Sequence, residues 1–353
     1  MKVDYIIVGA GLAGLCMARF CFKYNKSFVV IDHAERTSSK VAGGMFNPVV
    51  LKRFTSIWEA EAQIELADVF YPELEHLLNN SFYYKLPIYR KFASIEEQNN
   101  WFQACDNLVT APFLNDQLYK SNFPFIKSEF NFGEVYKTGF LDVNSFVSAY
   151  QQYLKELGQL IELEFKYDDL KCFDNEVSYQ HITAKQIVFA EGFSMQNNPY
   201  FNYLPLDGTK GELLYVRIPK LKLRSIVKSA VFIIPLGNDL YKVGATYNWQ
   251  DKTDELTNTA YDELIEGLET LIDCEYEVVQ HLAGIRPTVK DRRPLVGKHY
   301  QHKNIYILNG LGTRGVLLAP YLADKLIQNI ENNVPLDRNI DVARYYKKLQ
   351  LIK

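Results

Sequence analysis

An α/β fold in two domains, one built on a parallel doubly wound sheet and the other on an antiparallel sheet, is predicted by three features of the sequence. The first 32 residues form a strand, glycine turn, helix and second strand; a later strand runs into another glycine-rich helix start near residue 310; and the middle of the chain reads as short strands separated by turns. At 353 residues, 48% hydrophobic and 23% charged, the chain is long enough for two domains with cores of their own.

The first unit begins with the apolar run Tyr5 to Val8, of the kind buried on both faces of a parallel sheet. Gly9, Gly11 and Gly14 follow as GxGxxG, then Leu12 to Lys23 with helical apolar spacing, then a second apolar strand from Phe28 to Ile31 that ends in Asp32. This is a complete βαβ dinucleotide-binding unit. Gly9 permits the tight turn, Gly11 lets the backbone approach a pyrophosphate, and Gly14 lets the helix pack on the strand, while the helix start at Leu12 and Ala13 offers free N–H groups. Asp32, 18 residues beyond Gly14, is placed to accept hydrogen bonds from an adenosine ribose.

From Ser38 to Pro48 the sequence is small and aperiodic, with Gly43, Gly44 and Met45 at its centre. It is expected to form a close-fitting loop rather than a helix; such a backbone suits a large planar ligand such as an isoalloxazine ring, and a plain surface loop is the alternative. The next elements are strands over Tyr83 to Phe92, Leu213 to Arg217, Ala230 to Pro235 and Leu240 to Tyr247, read as an antiparallel sheet. Asn304 to Leu308 is another buried strand, and Asn309 to Gly315 opens a helix over Val316 to Asn329, in which Pro320 is expected to make a kink or mark the true start. That helix start presents amides and a positive dipole end to an electron-rich ligand edge.

Composition narrows the function classes. A net charge of -3 gives no global attraction to nucleic acid or anionic lipid, so an RNA partner needs a local basic patch. Lys220, Lys222, Arg224 and Lys228, joined by Lys347, Lys348 and Lys353, are the candidates, with solvated loop charge as the default. Cys16, Cys21, Cys105, Cys172 and Cys274 are scattered without CxxC spacing, as reduced cytoplasmic thiols are. The six histidines include no HxxxH pair, no metal site is expected, and His299 and His302 are read as exposed loop residues. Asp4 and three glycines break up the start as a signal peptide, and no apolar run reaches ~18 residues, so a cytoplasmic protein without a membrane span is expected.

Taken in order, these motifs resemble the D-amino-acid oxidase superfamily of FAD-dependent enzymes, which includes glycine oxidase and sarcosine oxidase. The matching stretches are the GxGxxG with Asp32, the Gly43–Gly44 loop, Gly139 to Asp142, Ile187 to Gly192, Gly244 to Tyr247, Gly284 to Pro287 with Asp291, Arg292, Pro294 and Gly297, and Gly310 to Gly315. Three of them, Gly-Ala-Thr-Tyr, Asp291 to Gly297 and Gly-Leu-Gly-Thr-Arg-Gly, look most like the FAD domain of the bacterial bifunctional enzyme that builds the methylaminomethyl group on tRNA wobble uridine. Glu212 stands where a glutamine is often seen.

The resemblance implies a glutathione-reductase-type, Rossmann-like FAD-binding domain (1–80, 138–200 and 284–353) and an antiparallel-sheet α+β substrate domain (81–137 and 201–283). It implies non-covalent FAD, since no Cys or His lies in the glycine runs, held by Gly9, Gly11, Leu12, Ala13, Gly14, Asp32, His33, Lys40, Gly43, Gly44, Met45, Tyr167, Ala190, Gly192, Arg286, Gly310, Gly312, Thr313, Arg314 and Gly315. It also implies oxidation of the CH–NH bond of a carboxylate-bearing small-molecule amine by hydride transfer, with Arg286 on the substrate carboxylate and Tyr247 nearby. A structural ion pair is the bland alternative for Arg286, packing for Tyr247, and exposed charge for Lys52 and Arg53. A flavin hydroxylase, a NAD-linked dehydrogenase, a tRNA-modifying enzyme that removes a carboxymethyl group and a non-catalytic flavin-binding protein remain as rivals.

Overall fold

The computed structural model describes residues 1–33, 38–120 and 123–350. The apolar strands at the start become the centre of a parallel sheet. Lys2–Val8 lies between Phe28–Asp32 and Ile182–Phe189, with Leu160–Glu162 outside the former and Ile305–Asn309 beside the latter, all parallel. The N-terminal half of Ile182–Phe189 pairs instead with the antiparallel Val177–Tyr179. The whole forms a sheet of eight strands among the described residues. One face is covered by the helices Leu12–Lys23, Val143–Glu156, Gly315–Asn332 and Ala60–Leu78, the other by an aromatic layer including Phe165, Phe201, Tyr345 and Tyr346. Burial on both faces is why these strands are continuously apolar rather than alternating.

The second sheet, in the order Glu277–Arg286, Thr209–Arg217, Leu240–Gly244, Phe232–Gly237, Ile226–Lys228, Ile88–Lys91, Phe132–Val135, Leu114–Tyr119, is antiparallel apart from one parallel pair, Ile226–Lys228 with Ile88–Lys91. The helix Asn258–Glu269 packs against Thr209–Arg217, burying Leu264 and Leu268 with Leu214 and Val216. The stretch Tyr83 to Phe92, read as one strand, is two: Tyr83–Lys85 joins a small sheet with Met45–Phe46 and Gly139–Leu141, and Ile88–Lys91 crosses into the large one. Leu86 and Pro87 separate them, and the proline lacks the N–H a continuous ladder needs.

Three expectations are corrected. The small-residue stretch does contain a helical turn, Ser38–Val41, because tertiary contacts fix it: Ser38 Oγ donates to the Ile285 carbonyl, and Ser39 Oγ accepts from Leu12 N at 3.2 Å. His299 is buried rather than exposed, at 5% accessibility, and its Nδ1 accepts the N–H groups of Gln301 and His302, both at 3.1 Å. Burial, with His302 adding repulsion, holds its pKa down to about 4. Pro320 does not mark the true start of the last helix, one of the two outcomes expected of it, since the helix runs Gly315–Asn332 with Pro320 inside it. Proline cannot donate to the carbonyl four residues earlier, that of Val316, and Tyr71 Oη does so instead at 2.6 Å. No helix among the described residues is long and apolar enough to cross a membrane.

Candidate active site

The glycine turn sits at the carboxyl end of the parallel strands. Gly9 adopts φ +105°, and Gly14 lies so close to the turn that a Cβ there would strike the Gly9 carbonyl oxygen and touch Ile7. Gln151, buried on the neighbouring helix, donates to the Ala10 carbonyl at 2.9 Å and so holds the turn from below. Gly11 is the N-cap of the Leu12–Lys23 helix and has no side chain to satisfy the first amides. Leu12 and Ala13 are buried in its first turn. Asp32 ends the second strand beside Glu162, and His33 beyond it is exposed.

Ala190 continues the fourth parallel strand, its N–H bonded to Val8 O at 2.7 Å, and its carbonyl fills the space a Gly9 side chain would need. Asn309 ties the two glycine-rich turns together: its Nδ2 donates to Gly192 O at 2.9 Å and its Oδ1 accepts Gly310 N at 2.8 Å. Tyr167 reaches this region through Glu191, to which its hydroxyl donates at 2.6 Å, while Asn198 donates to the other carboxylate oxygen at 2.7 Å. Burial raises the Glu191 pKa to about 7, against the lowering effect of those two hydrogen bonds.

A second group gathers where the two sheets meet. The Ser38–Val41 turn reaches the Glu277–Arg286 strand at Gly284, and of Lys40 only the backbone is described. Gly43 lies against the Phe232 ring, Gly44 N-terminal to the Met45–Phe46 strand accepts Leu141 N at 3.0 Å through its carbonyl, and Lys242 Nζ donates to Ala42 O at 3.3 Å. Lys242 is 3% exposed and lies over the Tyr215 ring; burial lowers its pKa, with Asp142 acting in the opposite sense. Sequence reasoning missed this lysine. Its signal was a charged residue inside the otherwise apolar strand Leu240–Gly244.

Arg286 ends the strand that faces this loop. Its Nη1 donates to Lys210 O at 3.3 Å and Thr246 O at 3.1 Å, its guanidinium lies 4.5 Å from the Tyr247 ring centre, and it pairs with no carboxylate among the described residues. Gly211 leaves room for it, since a Cβ there would collide with the guanidinium. Burial pushes the Arg286 pKa down, and Tyr247 opposes the shift. Gly312 N donates to Pro287 O at 3.0 Å, which docks the Gly310–Gly315 turn beside Arg286. In that turn Thr313 and Arg314 are exposed, and Arg314 is the helix N-cap with no side-chain hydrogen bond to the helix amides. Desolvation lowers its pKa, and Arg293 and Arg292 lower it further. Lys52 and Arg53 are exposed in a turn.

The sequence from residue 4 to residue 328 matches the family model of the FAD dependent oxidoreductases. The chain belongs to that family. It is an FAD-dependent oxidoreductase, related at 22% identity over 373 residues to glycine oxidase of Bacillus subtilis, a match covering 94% of this chain and 95% of that protein. It is also 25% identical over 224 residues to the tRNA 5-methylaminomethyl-2-thiouridine biosynthesis bifunctional protein MnmC of Shewanella pealeana, covering 53% of this chain and only 35% of that protein. In fold it resembles glycine oxidase from Geobacillus kaustophilus (TM-score 0.81, 18% identity, 98% of each chain) and iminodiacetate oxidase from Chelativorans sp. BNC1 (TM-score 0.79, 16% identity, 96% of this chain and 98% of that one). The geometry fits the family's cofactor: a glycine turn under a helix start whose N-cap, Gly11, has no side chain suits a pyrophosphate, and the Gly43–Gly44 loop beside Phe232 and Lys242 has the small residues a flat ring requires.

Proposed function

We propose that the protein oxidises the CH–NH bond of a carboxylate-bearing amine, an amino acid or N-alkyl amino acid, with Arg286 as the carboxylate anchor. The observation that carries this reading is the state of Arg286: partly buried, stacked on Tyr247 and bonded to two carbonyls, with no anionic partner among the described residues. A partly desolvated cation without a counter-anion is costly, and a substrate carboxylate relieves that cost through the two parallel hydrogen bonds a guanidinium offers. Arg314, in the turn docked to Pro287, adds positive charge on the same side.

Gly9, Gly11, Leu12, Ala13 and Gly14 are assigned to the pyrophosphate, and Asp32, with His33 beside it, to the ribose. Ala190, Gly192 and Tyr167 are assigned to the wall behind them. Lys40 to Met45 and Gly310 to Gly315 are assigned to the flavin end. FAD, when bound, supplies the hydride acceptor. The chain's own work is orientation: Arg286 fixes the carboxylate, Tyr247 covers the guanidinium, and alignment of the reacting carbon contributes several kcal/mol without a nucleophilic side chain. The division into an FAD domain (1–80, 138–200, 284–353) and a substrate domain (81–137, 201–283) is supported in outline by the two large sheets, although Tyr83–Lys85 pairs with Gly139–Leu141 and the strand Glu277–Arg286 runs across the boundary at 284, and the five free cysteines support a reducing, cytoplasmic setting.

Anaerobic titration of the yellow protein with glycine, sarcosine, D-amino acids and proline tests the reading. One of them bleaches the flavin and yields the corresponding oxo acid; if none of these, nor any other carboxylate-bearing amine, does so, the reading fails. The likeness to MnmC supports a second reading, in which the amine is borne on tRNA. Lys220, Lys222, Arg224, Lys347 and Lys348 are exposed, but Lys222 is paired with Asp239 and Lys228 donates to the carbonyls of Ser229 and Ala230, so the patch is thinner than its sequence, and Lys353 lies outside the described residues. Steeply salt-dependent tRNA binding would favour this second reading.

A further inference from the structure

Between the strand Leu240–Gly244 and the helix Asn258–Glu269 the chain has no regular structure, yet this segment supplies two of the groups that Arg286 touches, the Thr246 carbonyl and the Tyr247 ring. Tyr247 is 59% exposed, so packing alone does not keep its ring in place. What fixes the segment is Lys210. Its main chain pairs with Asn248 in both directions, each N···O 2.9 Å, and its carbonyl accepts Arg286 Nη1 as well, at 3.3 Å. Its side chain runs the other way. A Cβ on Gly211 would point at the guanidinium, and alternation along the strand puts the Lys210 and Glu212 side chains on the opposite face. There the Lys210 ammonium, 1% exposed, bonds Asp251 at 2.5 Å and lies 3.7 Å from Glu212. Asp251 closes a bend: its N–H and that of Gln250 donate to Asn248 Oδ1 at 3.0 and 2.8 Å, and its carboxylate accepts the N–H and hydroxyl of Thr253 at 2.8 and 2.7 Å. The hydrogen bonds from Lys210 and Thr253 hold the Asp251 pKa down to about 2, so its carboxylate is ionised at neutral pH.

We propose that Lys210 and Asp251 are a positioning pair for the carboxylate anchor: their ion pair, behind the strand, holds the bend that follows Tyr247, and the bend holds the Tyr247 ring against the Arg286 guanidinium in front of it. This rests on the reading of Arg286 as the carboxylate anchor. Lys210 acts on the anchor twice, through its own carbonyl and through the segment that its ammonium ties down. Removing the Asp251 charge leaves Glu212 near the ammonium, so the lysine keeps a carboxylate neighbour while the bend is released. A guanidinium that loses its aromatic face is no longer held in one orientation, which weakens carboxylate recognition roughly tenfold.

The test measures anaerobic flavin reduction by one carboxylate-bearing amine and its carboxamide in the wild type, Asp251→Asn, Tyr247→Leu and the double variant, with the visible spectrum read for bound FAD. The expected result is that Asp251→Asn keeps its FAD while its kcat/KM for the carboxylate falls roughly tenfold relative to that for the carboxamide, through KM. In the Tyr247→Leu background the same substitution changes that ratio no further, because the ring it positions is gone. An unchanged ratio in Asp251→Asn overturns the proposal, as does a fall of the same size with and without the Tyr247 ring. Equal loss for carboxylate and carboxamide, or release of FAD from Asp251→Asn, also overturns it, since the pair would then serve the fold rather than the anchor. If the wild type prefers the carboxylate and Asp251→Asn does so equally, only this proposal falls; if the wild type shows no such preference, the anchor reading falls too.

Discussion

Replacing Gly211 with alanine puts a methyl group where the Arg286 guanidinium lies, although Gly211 itself has no functional group to lose. A Cβ on Gly211 would overlap Nη1, Nη2 and Cζ of Arg286, so the arginine has to leave its seat. In leaving it gives up its hydrogen bonds to Lys210 O and Thr246 O and its stacking on Tyr247. The guanidinium finds water elsewhere, so the cost to folding is that of modest overpacking, about 1–3 kcal/mol. The cost to function is larger, because a carboxylate anchor displaced by an ångström or more no longer presents the reacting carbon correctly, a loss of about 100-fold. The assay is stopped-flow flavin reduction with the best amine, alongside the visible spectrum to confirm that FAD is retained. A Gly211→Ala enzyme with full FAD and unchanged kcat/KM would refute the reasoning, since Arg286 would then not be working from the position it occupies.

Three other outcomes follow from the same geometry. Glu191 has a folded pKa of about 7 against an ordinary value of 4.5. The folded state therefore holds a proton that the unfolded state has released, and stability falls as pH rises from about 4.5 through about 7 and then levels; Glu191→Gln flattens that part of the melting-temperature profile, and an unaltered slope would contradict the assignment. Tyr71→Phe leaves the Val316 carbonyl without its donor beneath Pro320 and lowers unfolding stability by about 1–3 kcal/mol in denaturant titrations; no loss would show that the carbonyl is satisfied otherwise. Lys242→Met removes a buried charge next to the Gly43–Gly44 loop, and the flavin potential, read against a reference dye, drops by about 30 mV for about 1.4 kcal/mol of lost stabilisation of the reduced form; an unchanged potential would place the lysine away from the ring.

Local chemistry was legible in the sequence wherever one short segment determines its own shape. The Leu12–Lys23 helix begins and ends at the residues its glycines and apolar spacing indicate, because Gly11 ends the turn and Gly14 is required by the contact with Gly9. The Ser38–Val41 turn was not legible, because its hydrogen bonds go to Leu12 and Ile285, far away in the chain. His299 looked like a loop histidine because nothing local shows that Tyr200, Phe201 and Tyr203 surround it. At the site, the Gly-x-Arg-Pro run singled out Arg286, yet the sequence did not reveal what makes it distinctive, namely that its neighbours are carbonyls and a tyrosine ring rather than carboxylates. Lys242, Gln151 and Asn309 were missed for the same reason: each acts across the fold on a main-chain carbonyl.

The central claim, that Arg286 holds a substrate carboxylate while the amine carbon faces FAD, is tested most directly by the anaerobic reduction rates of the wild type and Arg286→Ala with one amine and its carboxamide analogue. The account predicts that the wild type strongly prefers the carboxylate, and that Arg286→Ala keeps its FAD but loses that preference, reacting slowly and alike with both. An Arg286→Ala enzyme that still prefers the carboxylate as strongly as the wild type would contradict it.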